Sequence, residues 1–132
     1  MKKHTLIAVI AAALLAPAVK AADVTEADLQ KAMKDVQAGV GAIRGSNGDV
    51  AAAATAAKSV EAALASVEGF WKARKDDAAV KMSADSRAAA LAIAKAADAT
   101  AQGEATRAMF GTCKACHDVH REQLPDKSYK LK

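Results

Sequence analysis

The sequence is poor in the residues that usually build a large apolar core. Its 132 residues include one tryptophan, one tyrosine and two phenylalanines, whereas alanine is abundant. Alanine is the best helix former, but it buries little apolar area per residue. A small helical domain with so thin a core would be only marginally stable. The composition therefore favours a helical bundle that surrounds a large apolar group.

Long apolar runs are confined to the amino terminus. Lys2 and Lys3 precede the unbroken run Leu6 to Leu15, which is too short to span a bilayer. Small residues then surround a predicted cleavage point after Ala21. Residues 1–21 are thus predicted to be a secretory signal peptide, and residues 22–132 one exported domain, located in the periplasm. No later segment is predicted to be apolar enough for a membrane helix, so the mature protein is expected to be soluble.

The chain also has little excess positive charge once this leader is removed. Cleavage removes three lysines and no acidic residue, which takes the formal net charge from +4 to +1. The basic character of the precursor comes mostly from the leader. It gives no indication of a nucleic-acid partner.

No segment has a convincing strand pattern, and four helices are predicted from apolar residues spaced three and four apart. The first is expected over about 25–44, with Thr25 as its N-cap. The second begins at Asp49, frays near Gly69 and is followed by a crossover over 72–81. The third begins near Ser83 or Asp85 and ends near Gly103, with these residues facing inward: Ala88, Leu91, Ala94 and Ala101. The fourth is expected over about 104–123, stopping at Leu124-Pro125. The expected fold is an all-α antiparallel four-helix bundle.

The run Cys113-Lys114-Ala115-Cys116-His117 is typical of a c-type haem attachment site. On a helix, residues three and four apart share a face, so both thiols and the imidazole project to one side. The thiols can add to the two vinyl groups of a porphyrin, and the imidazole can ligate the iron.

Two other interpretations of the motif compete with haem attachment: a disulfide and a zinc site. A structural or catalytic disulfide could join the two cysteines, because exported proteins oxidise their thiols. A thioredoxin-like site would need a βαβ context that the sequence lacks. A zinc site would need more ligands than His120 and distant carboxylates supply.

The position of the motif near the end of the chain adds further information. The run 113–121, the following Leu-Pro-Asp at 124–126, the final Tyr-Lys-Leu-Lys and the segment around Met33 resemble class II cytochromes c. The resemblance is closest to the low-spin cytochrome c-556 branch. It covers the organisation of the whole mature chain, with sharp motifs only at 113–132 and around Met33. It implies a four-helix bundle with one covalent haem c on the last helix, acting as an electron carrier and not as an enzyme.

The resemblance also implies roles for individual residues. Met33 corresponds to the sixth iron ligand opposite His117, although a core methionine would fit the same position. Arg121 corresponds to a basic residue that contacts a haem propionate or shapes the proximal pocket, with a solvated arginine as the alternative. If Met33 does not bind the iron, the chain is instead a five-coordinate cytochrome c′-type binder of NO or CO. A colourless bundle with a structural disulfide is a third possibility.

The remaining candidates are assigned plainer roles. His120 is expected to have no special role, and Trp71, Met82 and Met109 are expected to pack. Three lysines near the carboxyl terminus are expected to steer an acidic redox partner, in the periplasm or on a membrane: Lys127, Lys130 and Lys132. The resemblance also allows a homodimer.

Overall fold

A computed structural model describes residues 24–132. Four helices follow one another, and the chain ends in a short hairpin. The helices are α1 (Glu26–Gly45), α2 (Val50–Ala73), α3 (Asp77–Lys95) and α4 (Ala99–His120), and the strands are β1 (Arg121–Gln123) and β2 (Tyr129–Leu131). The predicted four-helix bundle is confirmed. The predicted signal peptide, residues 1–21, lies outside the described residues.

Each helix begins directly after a side chain that caps its first turn. The N-caps Thr25, Asp49, Asp76 and Asp98 accept hydrogen bonds from backbone N–H groups three residues ahead. At α1 the cap is reciprocal, because the Asp28 carboxylate accepts the Thr25 N–H at 2.8 Å. Such caps satisfy donors that a helix leaves unpaired, so they set where each helix starts. The predicted starts of α1 and α2 are confirmed.

The predicted crossover between the second and third helices is wrong. Helix α2 continues through Gly69 to Ala73, because Phe70 and Trp71 are buried in the core. The chain then reverses within three residues, with Lys75 at a positive φ of 58°. Asp76 accepts the Ala79 N–H at 2.9 Å, so α3 starts at Asp77 and not near Ser83.

The predicted inward face of the third helix is only partly right. Ala94 packs against the core as predicted, but Ala88 and Leu91 are exposed and Ala101 belongs to α4. Two serines face inward instead, since their hydroxyls donate to the helix backbone: Ser83 to Ala79 at 2.8 Å and Ser86 to Met82 at 3.0 Å. The buried residues are Ala79, Ser83, Ser86, Ala90 and Ile93. A buried hydroxyl with a partner costs little, so apolar pattern alone missed this face.

The last helix lies earlier than predicted, from Ala99 to His120. Residues 121–123 are not helical but pair antiparallel with 129–131, Arg121 opposite Leu131 and Gln123 opposite Tyr129. The expectation that the chain has no strand is therefore wrong. The Lys132 N–H donates to the His120 carbonyl at 3.1 Å, which ties the hairpin to the end of α4.

Successive helices pack side by side, whereas α1 and α4 make few backbone contacts with each other. The approach of α1 to α2 is closest at Gly39, where an added Cβ would overlap the Val60 side chain. Helix α2 supplies the largest share of the buried residues. The bundle is thus held together mainly through α2 and α3, and its seam between α1 and α4 is the least tightly closed.

One helix has the length and composition of a membrane span. Over an 18-residue window, α2 has a mean hydropathy of 1.3, so the expectation that no later segment is this apolar is wrong. The core helix of a bundle has the same profile. In this structure α2 packs its apolar face on α1 and α3, and Glu61 and Glu68 on it pair with Arg87 of α3.

Candidate functional site

A small cavity in the half of the bundle nearest the α4 carboxyl end joins the motif residues with Met33. Its volume is about 30 Å³, and residues from all four helices line it: Met33, Val36, Leu64, Val67, Ser83, Ser86, Cys113, Cys116 and His117. The antiparallel arrangement explains this meeting, because the second turn of α1 lies level with the last turns of α4. The sequence-predicted cysteines, histidine and methionine therefore face one space.

Both cysteines are free thiols in the described part of the chain. Burial raises the pKa of Cys113, and a hydrogen bond with Ser86, whose Oγ lies 3.9 Å from the sulfur, acts in the opposite direction. Burial also raises the pKa of Cys116, with the charges of Cys113 and Asp76 adding to it. At neutral pH the two groups are protonated thiols. They differ in this from the low-pKa thiolates of redox-active pairs.

Ser86 connects α3 to the attachment helix beside Cys113. Its hydroxyl lies 2.9 Å from Thr112 Oγ1, and the Thr112 hydroxyl lies 2.8 Å from the Met109 carbonyl oxygen. Ser86 is only 3% exposed. Ser86 has one hydroxyl hydrogen; when it is donated to Thr112 instead of the Met82 carbonyl, the chain of bonds links α3 to the turn of α4 that carries the first cysteine. No sequence pattern predicts this contact, because an isolated serine in a helix rarely indicates a site.

His117 is half-buried, and burial lowers its pKa. The positive charge of Arg121 lowers it further, and Asp118 acts in the opposite direction. The imidazole is therefore neutral at pH 7 and keeps a nitrogen lone pair for a ligand bond. Among residues 24–132, no cluster of three or more His, Cys, Asp and Glu side chains is placed to hold a metal ion.

Met33 is half-buried and packs against the core while its side chain lines the cavity. It is the one soft donor that α1 contributes there. The other two candidates lie elsewhere: Met109 is fully buried in the core, and Met82 is half-buried on α3, outside the cavity lining. Of the three methionines compared in the sequence, only Met33 shares a space with the motif.

Arg121 lies on β1, just beyond the attachment helix. Its guanidinium carbon is 3.8 Å from the centre of the Tyr129 ring, a cation–π contact within the hairpin. Its backbone N–H donates to the His117 carbonyl. The side chain does not line the cavity. It influences His117 through its charge.

The lysines near the carboxyl terminus are partly tied to the chain itself. Lys130 pairs with Glu122 at 3.3 Å, and Lys132 donates to the Asp118 carbonyl at 2.9 Å. The pair with Glu122 offsets the charge of Lys130, whereas the hydrogen bond to a neutral carbonyl leaves the charge of Lys132 unchanged.

A separate open cleft of about 670 Å³ runs along α1 and α2, lined mostly by alanine, serine and glycine, and lies apart from the motif.

Sequence reasoning missed a cluster at the end of the bundle. The His120 ring lies 4.8 Å from the Trp71 ring, between centroids, and its Nδ1 is 3.6 Å from Asp76 Oδ2. Trp71 Nε1 and His120 Nε2 are buried and have no hydrogen-bond partner among residues 24–132. His120 is far in sequence from Trp71 and Asp76, which are five residues apart. Only the short turn before α3 brings Asp76 to the ring pair.

No family model, no curated protein and no solved structure matches this chain.

Proposed function

We propose that the chain is an exported c-type cytochrome that carries one covalent haem and transfers electrons. Cys113 and Cys116 attach the haem, His117 is the proximal iron ligand, and Met33 is the distal ligand. One observation carries the proposal. Met33, contributed by α1, lines the same cavity as the three motif residues, contributed by α4. Met33 is the one thioether among the side chains that line this cavity.

The chemistry of this donor set suits a haem. Protonated thiols can add across vinyl groups to form thioethers, and a neutral imidazole can bind the iron. When bound, the haem supplies one-electron exchange between ferric and ferrous iron. A thioether favours the ferrous form, so ligation by Met33 raises the reduction potential. A filled sixth position supports electron transfer rather than binding of a small gas.

The volume of the cavity requires the bundle to adjust. A space of about 30 Å³ holds roughly two water molecules, whereas pockets for ligands usually measure about 300–1,000 Å³. The seam between α1 and α4 is the one with the fewest backbone contacts. A bound haem would therefore require α1 and α4 to lie further apart than they do in this structure. The apolar area of the ring then adds to a core built largely of small side chains.

The proposed partners are redox proteins of the periplasm or of a membrane facing it, and the protein catalyses no reaction by itself. Electrons leave a haem through its exposed edge, so the partner docks near α4. Lys114 and Asp118 on that helix form an exposed ion pair, and the hairpin lies beside them. The surface there carries both signs of charge. Docking on it should depend only modestly on salt.

Absorption spectra test this proposal. The full precursor is expressed with haem-attachment machinery, and spectra are recorded oxidised, reduced, and reduced with carbon monoxide. We expect a low-spin reduced spectrum that carbon monoxide does not change. Met33→Ala opens the sixth position, so carbon monoxide then binds. Met82→Ala, which removes a half-buried methionine outside the cavity, is the control and should behave as the parent.

A high-spin spectrum that shifts with carbon monoxide in the parent protein would contradict ligation by Met33. The function would then be the binding of NO or CO at a five-coordinate iron. A colourless product would contradict haem attachment altogether.

A further inference from the structure

Two ring nitrogens are buried next to each other without partners at one end of the bundle. They are Trp71 Nε1 and His120 Nε2, neither of which has a hydrogen-bond partner among residues 24–132. Trp71 is 7% exposed and the His120 side chain 13%. Buried polar groups in proteins are normally paired. Because an indole N–H can only donate, the group that pairs with Trp71 must be an acceptor.

This ring pair lies one helical turn from the cavity. Trp71 follows Val67 by one turn of α2, His120 follows Cys116 by one turn of α4, and Val67 and Cys116 both line the cavity. A ligand that fills the cavity therefore approaches both nitrogens as it extends towards this end of the bundle.

The other end of the cavity offers no comparable free donor among residues 24–132. Beyond it, α2, α3 and α4 contribute fully buried apolar side chains: Val60, Ile93 and Met109. The buried Gln102 amide at that end is already bonded to the Val50 and Ile93 carbonyls. The end with Trp71 and His120 is therefore the one that has buried donors without partners for an acidic substituent of a ligand.

The buried nitrogen of His120 is not used by the one carboxylate nearby. Its Nδ1 lies 3.6 Å from Asp76 Oδ2, beyond hydrogen-bond distance, and Nε2 is buried without a partner among residues 24–132. An imidazole can carry a hydrogen on either ring nitrogen, so Nε2 can act as a donor. The Trp71 ring lies against the His120 ring, tilted by 45° with 4.8 Å between centroids, so the two donors belong to one pair of contacting rings.

We propose that Trp71 Nε1 and His120 Nε2 donate hydrogen bonds to one carboxylate of the haem. This contact rests on the proposed function and adds two donors to the role predicted for Arg121. It gives His120 a binding role that the sequence did not indicate. An ordered water is the competing partner for these atoms.

The pH dependence of the reduction potential tests the contact in the haem-loaded protein. Ionisation of a haem carboxylate lowers the potential, and donors to that carboxylate move its ionisation to lower pH. Trp71→Phe keeps an aromatic ring but removes the N–H. In this variant the pH-dependent step should move up by about one pH unit. Gln102→Met is the matched control, since it removes a buried donor that bonds Val50 and Ile93 at the opposite end. Its profile should match that of the parent protein.

A second measurement leaves Trp71 and His120 unchanged and uses the single tryptophan. The protein is labelled with ¹⁵N, and hydrogen exchange at Trp71 Nε1 and at the Gln102 side-chain amide is compared in the reduced haem protein and in the haem-free Cys113→Ser/Cys116→Ser form. We expect exchange to slow at least tenfold more at the indole than at the Gln102 amide. Equal slowing at both, or a Trp71→Phe profile like that of the parent, would overturn the contact and leave water as the partner. A chain that binds no haem would refute the proposed function itself, and its absorption spectrum shows this separately.

Discussion

Gly39 lies on α1 where the first two helices come closest, and Gly39→Ala tests how tightly they are packed. An added Cβ would overlap Val60 Cγ2 and lie 3.4 Å from the Ala56 carbonyl oxygen. Val60 is fully buried, and a β-branched side chain in a helix has one strongly preferred rotamer. It cannot turn aside, so α1 and α2 must move apart.

The size of the effect follows from two opposing contributions. Overpacking a core costs about 1–3 kcal/mol. Replacing glycine with alanine inside a helix returns about 1 kcal/mol. The free energy of unfolding should therefore fall by about 1 kcal/mol, within a range from near zero to 2. With a urea dependence of about 1–2 kcal/mol per molar, the midpoint falls by roughly 0.5–1 M.

Gly41→Ala provides the matched control on the same helix. Gly41 is exposed, and nothing lies within 4 Å of the position of its Cβ. Only the gain in helix propensity applies, so this variant should be more stable by about 0.5–1 kcal/mol. Urea unfolding followed by circular dichroism measures both variants. If Gly39→Ala proved as stable as Gly41→Ala, the close approach of α1 to α2 would be refuted.

Two further substitutions test where α1 begins and how Arg87 pairs with Glu68. Thr25→Ala removes the N-cap of α1, so the free energy of unfolding measured by thermal denaturation should fall by about 1 kcal/mol. Thr55→Ala on the exposed face of α2 is the control and should leave stability unchanged. Equal effects of the two substitutions would contradict the cap. Hydrogen bonds from Lys72 and Arg87 hold the pKa of the buried Glu68 carboxyl below its usual range. Arg87→Met removes one of these partners, so the free energy of unfolding should fall by about 2–3 kcal/mol at pH 7. A carboxyl group whose pKa is lower in the folded than in the unfolded chain stabilises the fold at pH values above its unfolded pKa, and this stabilisation is lost as the pH falls through its folded pKa. Because Arg87→Met raises the folded pKa of Glu68 towards its unfolded value, the stability of the variant should begin to fall at a higher pH than that of the parent. An unchanged dependence of stability on acid pH would contradict the pairing.

Local signals in the sequence predicted the beginning of the fold well. Thr25 and Asp49 initiate α1 and α2 as expected, because capping is a short-range interaction between neighbouring residues. The buried face of α2, from Ala53 to Trp71, follows its apolar spacing. These features need no information from distant parts of the chain.

The errors came where tertiary contacts decide the structure. Gly69 does not end α2, since burial of Phe70 and Trp71 outweighs the low helix propensity of one glycine. Ser83 and Ser86 are buried because their hydroxyls bond the helix backbone, which a count of apolar residues cannot detect. The terminal hairpin is three residues on each side, too short for strand periodicity.

The candidate site was predictable in part. The spacing of Cys113, Cys116 and His117 indicates a shared helix face, and resemblance to a family suggested Met33 as the group opposite. The structure places all four around one cavity. The roles of Ser86 beside Cys113 and of the ring pair Trp71 and His120 depend on contacts between helices, so no sequence pattern indicates them.

The intact mass of the mature protein tests the central claim most directly. The precursor is expressed with haem-attachment machinery in a host that exports it, and the purified protein is unfolded before mass measurement so that only covalent groups remain. We predict that the parent protein has the mass of residues 22–132 plus one haem. The Cys113→Ser/Cys116→Ser variant should lack the mass of the haem entirely, and the control Ser66→Ala should retain it. A mass equal to that of the bare polypeptide, or lower by two hydrogens as in a disulfide, would contradict the account.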